Sequence, residues 1–263
     1  MEYLGYFASI FIGISLGLIG GGGSILTIPI LVYLFKIDPE NATSYSLFIV
    51  GINAGIGSYK HYLLGNLKLK SALYFAFPSV LSLLFVRKII LPNIPNHLFF
   101  IRNFDVTKNS LILLVFAILM VFSSISMIKK SDSDKIVKEI SYLQLSFIGL
   151  IVGFITGFLG AGGGFLIIPA LIFFAGLEMK QAIGTSLFII FINSIIGFGG
   201  DIIKGIQLDY KLLFIISLIA IFGMFIGTHL SKKIDGSKLK PAFGWFVLVM
   251  GIYIISKEFF YKL

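Results

Sequence analysis

Long apolar stretches alternate with short charged connections along this chain. Residues 3–35, 41–59, 71–86, 109–128, 140–177, 181–200, 212–231 and 241–256 contain no Asp, Glu, Lys or Arg. Six of these stretches have the length of one membrane crossing, which takes about 20 residues for a hydrocarbon core of about 30 Å. The first and fifth are too long. As single helices, 33 and 38 residues would span about 50 to 57 Å. Each overlong stretch holds a glycine cluster near its middle and a proline just beyond. The first reads Gly20-Gly21-Gly22-Gly23-Ser24 with Pro29, the second Gly160-Ala161-Gly162-Gly163-Gly164 with Pro169. Residues without Cβ free the backbone to leave the helix, and proline cannot continue the hydrogen-bond ladder. Each stretch is therefore predicted to contain a full helix, a break, and a shorter or re-entrant segment.

The two clusters stand 140 residues apart, and the register continues beyond them. Residues 13–65 match 153–205 without a gap at 19 of 53 positions, including Leu26/Leu166, Ala42/Ala182, Ser46/Ser186, Leu47/Leu187, Phe48/Phe188, Asn53/Asn193, Gly57/Gly197 and Gly65/Gly205. A unit of this size is a duplicated half, longer than the solenoid repeats of about 20 to 50 residues. The predicted fold is an all-α polytopic membrane protein with about eight transmembrane spans in two duplicated halves and glycine-broken helices. Residues 1–128 form the first repeat, with an irregular loop over 87–109; residues 129–139 form a polar linker; residues 140–263 form the second repeat. Four spans per half make the repeats parallel, which is the favoured arrangement because few residues follow each cluster. Broken segments that each cross twice would instead invert the halves. Lys and Arg counts do not orient the chain: they divide 11 against 10 for eight crossings and 9 against 12 for ten.

Composition agrees with this pattern. With 57% hydrophobic residues, 13% charged and a mean hydropathy of +1.01, the chain lies far from soluble domains, where about a quarter of residues are charged. The expected location is the cell membrane, as a multi-pass protein. The N-terminus opens Met1-Glu2-Tyr3 without the positive flank of a secretory leader, so the first apolar segment is expected to remain in the mature protein. The net charge of +9 comes from residues in the connections between spans, which suits lipid headgroups and the bilayer as partner and argues against nucleic acid. The absence of cysteine excludes disulfides and thiolate metal sites.

Polar side chains within spans are costly and usually face the bundle interior. Ser46 and Asn53 lie two helical turns apart on one face with Gly57, and Ser186, Asn193 and Gly197 repeat the arrangement. These residues either line a solute path or hydrogen-bond between helices. The glycine clusters admit two readings as well. They let helices pack closely, or their successive N–H groups at the start of a half-helix form a concave site for a small oxyanion. Carbonyls at the same break also suit a cation. Scarce acidic residues within the spans favour an anion, and Arg87, Lys60 and Lys204 at span ends draw anions inward. With no carboxylate deep in any span, a proton relay has no evident carrier; His229 is the one titratable candidate. His61 and His97 lie in loop-like sequence and no metal-ligand spacing exists, so neither metal nor cofactor is expected. Gly22-Gly23-Ser24 lacks the histidine base a serine hydrolase requires, and an enzyme is not expected.

The same residues resemble the sulfite exporter TauE/SafE family of membrane permeases. Two copies of Gly-x-x-x-Gly-x-x-Gly-x-Gly-Gly, a hydrophobic-Pro element and Ala-x-x-x-Ser-Leu carry the likeness. They are Gly13, Gly17, Gly20, Gly22, Gly23, Pro29, Ala42, Ser46 and Leu47, then Gly153, Gly157, Gly160, Gly162, Gly163, Pro169, Ala182, Thr185, Ser186 and Leu187. The second copy is closer to the pattern, with Gly184-Thr185-Ser186 where the first has Ser44-Tyr45-Ser46. The resemblance implies an all-helical permease, commonly of about eight spans, moving sulfur-containing oxyanions or organosulfonates outward across the bacterial plasma membrane. The expected substrate site comprises residues 20–24 and 160–164 with Ser46, Asn53, Thr185, Ser186 and Asn193. An anion-selective channel and a non-transporting structural subunit are the alternatives.

Overall fold

The computed structural model describes residues 2–21, 23–101, 104–128, 141–160, 163–233 and 236–260. The chain is helical nearly throughout. Helix α1 (Glu2–Ile19) is followed by the short α2 (Gly23–Pro29), which continues as a π-helical turn over Ile30–Leu34. Then come α3 (Pro39–Leu63) and α4 (Leu69–Phe85), the latter extended by a second π-helical turn, Val86–Ile90, and by α5 (Leu91–Asn93). A hairpin of β1 (His97–Ile101) and β2 (Phe104–Thr107) leads into α6 (Lys108–Ile128). The remaining helices are α7 (Tyr142–Leu159), the short α8 (Gly164–Ala175), α9 (Met179–Ile203), α10 (Tyr210–Lys233) and α11 (Gly236–Phe260).

Among the described residues, five helices are long and apolar enough to cross a membrane: 69–93, 108–125, 142–159, 179–203 and 210–231. Shorter apolar helices cover 3–19, 25–34 and 166–175. The outer surface is apolar, with Phe7, Phe77, Phe122, Phe147, Leu218 and Phe222 all exposed, as lipid rather than water demands. The loop expected over 87–109 is more regular than its two prolines suggest. Pro92 falls in the last turn of the continuous helical run 69–93, and residues 97–101 and 104–107 pair as the hairpin. The linker 129–139 lies outside the described residues.

Close backbone approaches give the sense of each helix. Residues Gly13 and Gly17 of α1 lie on the backbone of α10 at Ala220 and Met224, while Gly223 and Gly227 of α10 lie on Ile10 and Ile14. Both sequences rise together, so α1 and α10 are parallel. Any Cβ at these four glycines would overlap backbone, which is why the pairs recur at a spacing of four. Helix α3 also follows α10, through Phe48 on Phe214 and Lys60 on Phe225 and Thr228. Helices α4 and α7 are likewise parallel to each other, Gly149, Gly153 and Gly157 lying on Phe75, Ser79 and Leu83. Helix α9 runs with α4 through Asn193 on Ser79 and Asp201 on Arg87.

Helices α3 and α9 cross antiparallel, Gly51 meeting Ser194 and Gly55 meeting Phe191. The two groups, α1, α3 and α10 against α4, α7 and α9, thus point in opposite directions. Because α1 and α3 share one direction, the segment between them must return. Gly23 abuts Leu16 and Ile12 at its start, and Phe35 reaches Gly5 and Tyr6 at its end. The parallel relation expected from four spans per half does not hold for these helices. Twelve residues of α2 and its π turn run back along α1, about 18 Å at the helical rise.

Candidate functional site

The two short helices form the centre of the bundle. Ile25 and Ile28 of the first, Leu31 of the π turn that continues it, and Ile167, Ile168 and Leu171 of the second are fully buried, while Phe173 and Phe174 at the end of α8 are exposed. Each begins at a break. Gly20 ends α1 at φ +75° and Gly160 ends α7 at φ +65°, the left-handed conformation that glycine adopts without penalty. The amide of Gly20 donates to the Leu16 carbonyl at 2.7 Å and that of Gly160 to the Thr156 carbonyl at 2.8 Å. These two N–H groups cap their own helices.

The breaks contact each other and the long helices in a matched way. A Cβ on Gly20 would strike Ile183 of α9, and one on Gly160 would strike Thr43 of α3, residues that also differ by 140. Gly23 packs on Leu16 as Gly163 packs on Thr156. At the junction, the backbone of Gly21 lies against that of Gly164 with no room for a side chain on either. Gly22, Ala161 and Gly162 lie outside the described residues, as does the side chain of Ser24.

Ser46 and Ser186 stand about one turn inward from Thr43 and Ile183, and Asn53 and Asn193 two turns deeper. All four are fully buried. Ser186 Oγ donates to the Ile183 carbonyl at 2.9 Å and Asn53 Nδ2 to the Ile49 carbonyl at 2.7 Å. Asn193 Nδ2 donates to Ser79 Oγ of α4 at 2.8 Å, an interhelical bond. Ser46 Oγ, Asn53 Oδ1, Asn193 Oδ1 and Ser194 Oγ have no partner among the described residues. Unmet buried polar atoms of this kind are uncommon in native proteins, where they accompany ordered water, ions or functional strain. Gly51 and Gly55 set the α3–α9 register so that Asn53 and Asn193 share one level. Thr185 sits apart from them: its Oγ1 accepts from the Lys68 amide at 3.1 Å and ties the start of α9 to the α3–α4 turn.

A charged cluster lies next to the second break. Arg87 and Asp201 are buried, 6% and 2% exposed, and form an ion pair through the guanidinium Nη2 and carboxylate Oδ2. Arg87 Nε donates to Asp201 Oδ1 at 3.0 Å, Nη2 to Ser44 Oγ at 3.0 Å and to Thr43 Oγ1 at 3.3 Å, and Nη1 to the Gly157 carbonyl at 3.3 Å. Ser44 Oγ in turn donates to Asp201 Oδ2 at 2.7 Å. Just past α9, Lys204 donates to the Arg87 carbonyl; burial lowers its pKa below the ordinary lysine range, while Asp201 pulls it upward.

Sequence reading placed Arg87 at a span end and passed over Asp201, because each bounds an apolar run. The signal was present in the repeat: Asp201 occupies the place of His61, a second polar residue that is also buried. His229 is exposed and outside this arrangement. Among the described residues no group of three or more His, Cys, Asp or Glu is placed to hold a metal ion.

Apolar outer helices, broken helices buried at the centre and polar groups enclosed by protein define the class, a polytopic helical membrane transporter. The chain belongs to the family described as Sulfite exporter TauE/SafE, whose sequence profile matches residues 6–254. Its relatives include a probable membrane transporter protein of Xylella fastidiosa strain Temecula1, 29% identical and covering 94% of this chain and 92% of the relative. Another, from Haemophilus influenzae, is 28% identical over 93% of this chain and 94% of its own. A third, from the archaeon Methanocaldococcus jannaschii, is 27% identical over 93% and 91%. Both carry the same description, probable membrane transporter protein. The chain is thus a multi-pass membrane protein of transporter kind.

Proposed function

We propose that this chain is a carrier for a small sulfur-containing oxyanion or organosulfonate, working as an exporter by alternating access between two duplicated, inverted repeats. The observation that carries the reading is the junction at Gly21 and Gly164, where two broken segments meet inside the bundle. The reversed helix senses and the mirrored contacts of Gly20 with Ile183 and Gly160 with Thr43 support the inversion. In this reading eight long helices and the two short ones make five segments per half, and the short pair rocks with its own half. Ser46, Asn53 and Asn193 face the solute through polar atoms that have no partner among the described residues, together with Ser186 and the glycine runs 20–24 and 160–164. The backbones of Gly21 and Gly164 meet at the junction with no room for a side chain, which favours a carrier over a channel.

Counterflow in proteoliposomes tests the proposal. Labelled sulfite, sulfate, thiosulfate and taurine are supplied outside, with the same compound unlabelled inside. The expected result is saturable uptake of at least one, accelerated by internal substrate. Unsaturable flux with unitary currents would mark a channel, and no flux of any of the four would overturn the substrate class.

A further inference from the structure

The Arg87 cluster has the form of an anion site already filled. A carboxylate that takes two parallel N–H bonds from a guanidinium occupies the positions where two oxygens of an oxyanion would bind. Here Asp201 supplies those oxygens, from α9, while Thr43 and Ser44 of α3 add hydroxyls around the same nitrogen. We propose that Arg87 is an oxyanion-binding residue of the transport cycle and that Asp201 is its tethered competitor. An entering oxyanion displaces the carboxylate from Arg87, and Asp201 reclaims the guanidinium when the anion moves on. This inference rests on the carrier reading and adds to it a named cation and the residue that empties it.

Three observations favour this assignment over a helix staple. The other end of the bundle presents the corresponding helix crossing without a carboxylate: His61 stands at the place of Asp201, and Lys60 bonds Thr228 at 3.1 Å. The crossing therefore holds together without a buried ion pair. Second, Arg87 lies in a π-helical turn, an irregularity that frequently accompanies functional sites, and an ion pair inside a membrane helix is rarely retained for stability alone. Third, the cluster lies between the outside and the second break. Thr43 receives Arg87, packs on Gly160, and donates to the Glu40 carbonyl at 2.7 Å. Glu40 lines a cavity of about 280 Å³ with Asp38, Asn96, His97, Thr107 and Lys108. There Lys108 is held by Glu40 at 2.6 Å, the same pairing of cation and carboxylate one step nearer the surface.

Binding of sulfite to detergent-purified protein, read by calorimetry, and sulfite counterflow in proteoliposomes decide the assignment together. Asp201→Asn weakens the competitor and is expected to lower the sulfite dissociation constant at least tenfold while slowing turnover. Arg87→Met with Asp201→Leu removes both charges, is expected to insert and unfold thermally like wild type, and should bind no sulfite. An Asp201→Asn variant that binds no tighter than wild type, or a double variant that still binds, overturns the proposal. Wild-type counterflow accompanied by either result removes Arg87 from the site and leaves the carrier reading standing. Tightened binding in Asp201→Asn without any wild-type flux removes the carrier reading and its transport cycle, and leaves only Arg87 as an oxyanion-binding residue with Asp201 as its competitor.

Discussion

Glycines that look alike in the sequence have different work to do. Gly20 and Gly65 both hold a positive φ, +75° and +72°, yet nothing lies within 4 Å of a Cβ placed on Gly65, whereas Ile183 occupies that space at Gly20. Gly65→Ala is expected to cost about 1 to 2 kcal/mol, the left-handed penalty alone, and to leave sulfite flux intact. Gly20→Ala adds an overpacking cost of about 1 to 3 kcal/mol and should abolish flux. Thermal unfolding in detergent, beside counterflow, separates the two. The Arg87 pair gives a second contrast. Arg87→Met alone strands a buried carboxylate and should lose about 3 to 5 kcal/mol, while adding Asp201→Leu should restore stability close to wild type. A double variant no more stable than the single one would contradict that bookkeeping.

At the scale of elements, two kinds of glycine position hold different structures. Those spaced by four residues, Gly13 with Gly17 and Gly223 with Gly227, let α1 and α10 touch backbone to backbone. Gly13→Val should separate the pair, and purified protein should elute as aggregate in size-exclusion chromatography. Gly55→Ala is the matched control, since a Cβ there meets only the Phe191 ring, which can shift; its elution should remain monodisperse. The glycines of the breaks instead turn the chain, and short helices follow them. The length mismatch of the first and fifth apolar stretches made those breaks legible. Their direction was not, because hydropathy records how long a segment is and not which way it runs.

Across the whole molecule, the inverted arrangement predicts which loops share a side. The segment after α2 near Lys36 lies with the turn after α9 near Gly205, joined through the Asp209 amide and Tyr45 hydroxyl at 2.7 Å. On the other side, the turn at Asn66 lies with the start of α9, its carbonyl close to Gly184. The chain has no native cysteine, so single cysteines at Lys36, Asn66, Glu178 and Gly205 report cleanly. An impermeant maleimide should label positions 36 and 205 from one face of the membrane and 66 and 178 from the other. Parallel repeats would pair 36 with 178 and 66 with 205 instead.

Taken alone, the sequence determined the membrane class, the helical segments, the two breaks and their register of 140 residues, because each follows from local hydropathy, chain length and residue type. The buried serines and asparagines were legible for the same reason, as polar positions at helical spacing within apolar runs. Only the tertiary structure decided that Gly20 and Gly160 spend their amides on their own helices, that Gly21 meets Gly164, and that Arg87 and Asp201, 114 residues apart, share one cluster. Those outcomes depend on which helices cross and in which sense. Packing between segments distant in the chain sets that, and no pattern within a single segment encodes it.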